Sequence, residues 1–136
     1  MDKYSFLSKS NSLISSVSEC IERFCQSHNI DSDILNNALL VADEVVSNIK
    51  KYSEGHSDAI KITCSMQSNS PKELVIEIAD DGNQFNPLAE ENPDLESPVE
   101  NRDIGGLGIY LIKSLTAEQH YKWLEGSNYL LLTFKS

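Results

Sequence analysis

The sequence predicts an α+β fold: a two-layer sandwich in which a mixed, mainly antiparallel sheet carries its helices on one face. Three observations predict it. Apolar residues recur at helical spacing through two long stretches between residues 11 and 53, apolar and polar residues alternate through two stretches between 60 and 78, and a strand–turn–strand pattern closes the chain. With 136 residues, the chain is read as one domain, 1–136, long enough to bury a core.

The elements follow in order. Lys3 to Lys9 is a short strand candidate. Leu13, Val17, Cys20, Ile21 and Phe24 then form a helical stripe with Ile14 at its edge, so a helix is expected over 11–28, capped by Ser10 or Ser12. Asn29-Ile30-Asp31-Ser32 breaks it and caps a second helix over 32–53. Leu35, Ala38, Leu39, Ala42, Val45, Val46, Ile49 and Tyr52 give that helix one broad apolar face, with Leu40 pointing away from it. Ser53-Glu54-Gly55 ends it. Ile60, Ile62, Cys64 and Met66 alternate, Asn69-Ser70-Pro71-Lys72 turns the chain, and Leu74, Ile76 and Ile78 alternate again, as a half-buried antiparallel pair does. Residues 83–104 hold three prolines and a run of acids and read as a long irregular loop, of a length that is usually functional. A helix from near Gly106 to Leu115 follows, then a hairpin from Tyr121 to Phe134 with Gly126-Ser127 as a type II′ loop.

Composition narrows the function classes. A formal charge of −10 argues against nucleic-acid binding, which calls for a basic patch, and suits a basic protein partner. No secretory leader and no membrane-spanning run stand out, so a cytoplasmic protein with no membrane attachment is expected. The cysteines Cys20, Cys25 and Cys64 are odd in number and form no CxxC pair; Cys20 and Cys64 fall on apolar stripes, so they read as core and not as a disulfide or zinc framework.

Three polar features fall at the ends of elements. Glu44 and Asn48 are four apart on the second helix, one above the other, with Asn48 bordering the apolar face and Glu44 just beyond it. Asp80-Asp81-Gly82 ends a strand, and Gly105-Gly106-Leu107-Gly108 opens a helix. Each has an ordinary structural meaning when taken alone: a solvated helix edge, an Asp-Gly turn, a tight turn. Glycines ahead of a helix also let backbone N–H groups close on phosphate at the positive end of the helix dipole.

In this order and spacing, the chain resembles the ATP-binding domain shared by gyrase, the heat-shock chaperone, histidine kinases and mismatch-repair ATPases, the Bergerat fold. It is more closely similar to the single-domain anti-sigma-factor serine/threonine kinases of bacterial partner-switching systems. The likeness runs from about residue 10 to the end. Glu44-Val45-Val46-Ser47-Asn48 is similar to the N-box, Asp80-Asp81-Gly82 to the first glycine box, and Gly105-Gly106-Leu107-Gly108-Ile109-Tyr110-Leu111 to the kinase subfamily's glycine loop. The chain departs from the family pattern at Gln84, where a second glycine is usual, and at Tyr52, where histidine is frequent.

The resemblance implies roles. Asn48 would hold Mg²⁺ through its amide oxygen, and Glu44 would be the general base toward a serine hydroxyl or water. Asp80 would accept a hydrogen bond from the adenine amino group, with Gly82 keeping the pocket floor open. Gly105, Gly106, Leu107 and Gly108 would form the phosphate loop, and residues 83–104 the ATP lid. Lys51 and Arg102 are candidate phosphate contacts or solvated charges. His28, His56 and His120 lie in none of the boxes, and no phospho-acceptor histidine motif is present. The implied activity is an ATP- and Mg²⁺-dependent serine/threonine kinase acting on a STAS-domain anti-sigma-factor antagonist, with a sigma factor as the other partner and a homodimer as the assembly. Two rivals are a non-catalytic ATP-binding module that associates with partners according to its nucleotide, which would have no need of Glu44, and a detached histidine-kinase catalytic domain.

Overall fold

The computed structural model describes residues 3–8, 13–53, 60–69, 72–89 and 104–135. Strand β1 (Lys3–Ser8) leads to helices α1 (Leu13–Ser27) and α2 (Ser32–Ser53), strands β2 (Ile60–Asn69) and β3 (Lys72–Asp80), helix α3 (Ile104–Leu115), and strands β4 (Glu118–Leu124) and β5 (Ser127–Lys135). One sheet runs in the order β1-β2-β3-β5-β4. Its four pairings are all antiparallel, so the parallel component allowed by a mixed sheet is not found among the described residues.

Alternation decides what the sheet buries. Ile60, Ile62 and Cys64 on β2, Leu74, Ile76 and Ile78 on β3, and Leu130, Leu132 and Phe134 on β5 are all buried, and they form one core with the helices. Between them, Lys61 is exposed and Glu73 and Glu77 are half-buried, so the second face stays partly wet. Helix α1 packs on β1 and β2, and α2 lies between α1 and α3 and reaches β5. The core stripe of α2 differs from the expected one. Ile34 and Val41 are fully in the core, while Leu35, Leu39 and Ile49 only pack against its edge. Leu40 is 44% exposed, as its position off the stripe predicts.

The break after α1 is a Schellman turn. The N–H of Ile30 donates to the carbonyl of Cys25 at 3.0 Å and that of Asn29 to Gln26 at 3.4 Å, with Asn29 at φ 52°. Asparagine tolerates this left-handed backbone better than most residues. Lys72 Nζ closes the end, donating to the carbonyls of His28 at 2.9 Å and Asn29 at 2.7 Å, where a cation suits the negative end of the helix dipole.

Three expectations about elements are corrected. Helix α3 starts at Ile104, not near Gly106, so the glycines lie within its first two turns. Strand β4 starts at Glu118, earlier than Tyr121. The hairpin loop is Glu125-Gly126, not Gly126-Ser127: Leu124 pairs with Ser127, and Glu125 and Gly126 take φ of 52° and 79°. Positive φ at both central residues is a type I′ turn, whose twist matches the strands it joins. Glutamate is costly there. Glu125→Asn, which creates the favoured Asn-Gly pair, is expected to stabilise the fold by about 1 kcal/mol, read as a raised urea midpoint with an unchanged m-value.

Ser10, Ser12, the Glu54-Gly55 stop, the Ser70-Pro71 turn, His56, Arg102 and most of the expected lid lie outside the described residues. All three cysteines are buried and free. Burial pushes the Cys25 thiol up to about 11, and the thiol–thiol hydrogen bond from Cys20 together with burial raises Cys64 as well, so neither has thiolate character near neutral pH. No described helix is long and apolar enough to cross a membrane.

Candidate functional site

Strand β3 leaves the core through a polar residue. Leu74, Ile76 and Ile78 point inward, and Asp80 continues that row at the strand's end, 7% exposed. Strand β5 enters the core in the same way, because Asn128 begins the inward row completed by Leu130, Leu132 and Phe134. The register sets Asp80 directly opposite Asn128. Asn128 Nδ2 donates to Asp80 Oδ1 at 3.1 Å, and the Gly82 N–H donates to the same oxygen at 2.9 Å. The second bond is an Asx turn, and it explains why the chain bends at Asp80-Asp81-Gly82.

Asp80 and Asn128, with Ile78 and Leu130 behind them, form the floor of an open cleft. Val45, Asn48 and Ile49 of α2 make one wall, and Asn83, Phe85 and Pro87, with Tyr121 of β4, make another. An apolar cleft with a few converging polar groups is the usual form of a small-molecule site. Burial pushes the Asp80 carboxyl above its ordinary range and the neighbouring Asp81 charge adds to this, while the Gly82 and Asn128 donors act in the opposite sense. Burial and the Asp80 charge likewise raise Tyr121.

Asn48 is 7% exposed, and its Nδ2 has no hydrogen-bond partner among the described residues. A buried, uncommitted amide costs stability unless something in the cleft engages it. A donor without a partner fits a ligand that presents an acceptor atom beside Asn48.

The sequence-predicted residues are brought together in part. Asn48 and Asp80 line one cleft, and buried Gly82 sits beside Asp80. Glu44 is one turn before Asn48 on α2, half-buried, and is not among the lining residues. Gly105, Gly106 and Leu107 belong to the first turn of α3, where the N–H groups of Gly105 and Gly106 have no acceptor within the helix, whereas Gly108 falls in the second turn. Helix α3 packs against α2 and against the 3-10 turn Pro87–Ala89, whose Pro87 borders the cleft. Lys51 and Tyr52 lie in the last turn of α2. His28 stacks on Phe24 with ring centroids 4.1 Å apart, and His120 is exposed on β4, so neither lies at the cleft.

The sequence analysis missed Asn128, Tyr121, Asn83 and Phe85. The signal for Asn128 was a polar residue at the first inward position of an otherwise apolar strand. For Tyr121 and Phe85 no local pattern exists, since only the sheet order and the bend after Asp80 bring them to the cleft.

Known proteins similar to this chain bear on its family and fold. Residues 7–134 match the family model of the histidine kinase-like ATPase domain. The chain is 30% identical over 99 residues to serine/threonine-protein kinase BtrW of Bordetella bronchiseptica, an alignment covering 71% of this chain and 68% of that protein. Among solved structures it is similar to a chain of the SiaB–SiaC complex from Pseudomonas aeruginosa, with a TM-score of 0.61, 16% identity, and coverage of 98% of this chain and 89% of the other. At that identity the likeness concerns the fold alone.

Proposed function

The chain belongs to the histidine kinase-like ATPase family, and from that premise we propose that it is an ATP-dependent protein-serine/threonine kinase of the anti-sigma-factor type. Its substrate is a serine or threonine on a STAS-domain anti-sigma-factor antagonist, and phosphorylation switches the kinase between that antagonist and a sigma factor. The observation that carries the proposal is the cleft itself, where an acceptor, Asp80, and an unpartnered amide donor, Asn48 Nδ2, both line the space between helix and sheet. Relation to a protein named a serine/threonine kinase supports the choice of acceptor.

Each residue has a defined task. Asp80 accepts a hydrogen bond from the adenine amino group, and the closeness of Gly82 leaves room beneath the base. Asn48 would hold Mg²⁺ through its amide oxygen, a hard donor for a hard ion. The chemistry that Mg²⁺ would supply there is neutralisation of phosphate charge. The free N–H groups of Gly105 and Gly106 meet phosphate at the positive end of α3, with Leu107 and Gly108 completing the loop and Gly108 allowing close approach. Glu44 takes the proton of the substrate hydroxyl as its oxygen bonds to the γ-phosphorus and the bond to ADP breaks. Residues 83–104 serve as the ATP lid, anchored at Asn83 and Phe85 by Asn128, and the chain works as a homodimer in the cytoplasm.

One observation favours a second reading, nucleotide-dependent association without catalysis: Glu44 stands outside the cleft lining. Incubating the protein with Mg²⁺, γ-labelled ATP and a STAS-domain antagonist separates the two. Acid-stable phosphoserine or phosphothreonine on the antagonist is the expected result. Nucleotide-dependent complex formation without label supports the binding module, and acid-labile phosphohistidine supports a detached histidine-kinase domain. The Mg²⁺ assignment makes a separate prediction. Asn48→Ala is expected to reduce the Mg²⁺-dependent part of ATP affinity by about tenfold while binding without Mg²⁺ changes little. An unchanged magnesium titration contradicts the assignment.

A further inference from the structure

Asn128 belongs to none of the sequence boxes, yet it is the most fully engaged side chain of the cleft. It is 5% exposed. Its Nδ2 donates to Asp80 Oδ1 at 3.1 Å and to the Asn83 carbonyl at 2.8 Å. Its Oδ1 accepts from the Phe85 N–H at 2.9 Å and from the Tyr121 hydroxyl at 2.5 Å. Two donors and two lone pairs are all an asparagine amide has, and all are used. The orientation admits no reversal. The Phe85 N–H only donates and the Asn83 carbonyl only accepts, so turning the amide over would break both bonds.

The consequence falls on Asp80. With Gly82 and Asn128 both donating to it, Oδ1 is saturated. Oδ2 carries no hydrogen bond among the described residues and is the carboxylate oxygen left for a ligand. The same amide holds Asn83 and Phe85, two residues of the cleft wall, in a fixed relation to that oxygen. Tyr121 reaches the amide from the edge strand and braces it from the far side.

We propose that Asn128, braced by Tyr121, is the positioning residue that sets base specificity in this cleft: it locks Asp80 so that one bare carboxylate oxygen faces a purine carrying an amino group, and it rejects a purine carrying a carbonyl there. The proposal rests on the reading of the cleft as an ATP site. Catalysis at the phosphate end does not pass through Asn128, so the residue governs nucleotide affinity and choice and not the transfer step.

The test is a titration of ATP and ITP, which differ in the amino or carbonyl group at that position, into the full chain and its Asp80→Asn, Asn128→Leu and Tyr121→Phe variants. Asn128→Leu, close in size and unable to hydrogen-bond, is expected to narrow the preference for ATP over ITP by about tenfold, and Tyr121→Phe by a smaller factor in the same direction. A general loosening of the fold weakens both nucleotides alike and leaves their ratio unmoved. The ratio is therefore the readout. Wild type binding neither nucleotide overturns the ATP reading and this inference with it. Wild type preferring ATP, Asp80→Asn losing that preference and Asn128→Leu keeping it leaves the ATP site standing and overturns the role of Asn128. Should Asn128→Leu fail to fold, Tyr121→Phe decides, and an unchanged ratio in that variant overturns the proposal.

Discussion

Glu44→Ala is expected to slow phosphoryl transfer by about 10²–10⁴-fold, the usual contribution of a positioned general base. That is roughly 3–5 kcal/mol of transition-state stabilisation. Nucleotide affinity should change little, because Glu44 is not among the residues lining the cleft. Helix α2 should tolerate the substitution, since Glu44 is half-buried and alanine is the best helix former. The loss must therefore appear in the rate at saturating ATP and not in the affinity. Initial rates of label transfer to the antagonist, set beside an ATP titration of the same variant, check both halves. A normal transfer rate removes Glu44 from the mechanism, and the half-buried side chain is then a solvated helix edge.

Asp80→Asn acts on the opposite end of the ligand. A hydrogen bond to a charged acceptor contributes about 1.5–3 kcal/mol, and the asparagine turns an N–H toward the adenine amino group, so ATP affinity should fall about 100-fold. Stability should move the other way. Burial raises the Asp80 carboxyl above its unfolded value, so the folded state binds this proton more tightly than the unfolded state. The group therefore favours folding most below its unfolded value, and that advantage is lost as pH rises through the raised folded value. At neutral pH the ionised carboxylate destabilises the nucleotide-free protein, and the neutral amide relieves this. Asp80→Asn, which can still accept at Oδ1 from Gly82 and Asn128, is expected to melt higher than wild type at pH 7 without nucleotide. The difference should shrink in acid. Thermal melts at both pH values check the sign, and a lower melting temperature for the variant at pH 7 contradicts it.

Much of this molecule is written locally. The α2 pattern gave its limits, Ser32 and Ser53, because a capping Asp31-Ser32 pair and a long apolar face are short-range signals. The alternation of β2 and β3 likewise reported which residues face the core. Glu125 was illegible because its left-handed backbone is imposed by the twist of the strands on either side, against the residue's own preference. The start of α3 was misplaced because glycines signal a turn, and nothing local says that Gly105 and Gly106 already lie in the helix. The site was half legible. Asn48 borders the apolar face of α2 and Asp80 ends the apolar row of β3, so the place of both in the cleft lining could be read locally. The Asp80–Asn128 pair could not, because it depends on β5 inserting beside β3 from 48 residues away.

The measurement that tests the central claim most directly is a calorimetric titration of ATP into the wild-type chain in the presence of Mg²⁺. The cleft geometry predicts saturable binding at one site per chain, weakened when Mg²⁺ is removed. No heat of binding up to millimolar ATP would contradict it, and the cleft would then belong to an interaction module that works without nucleotide.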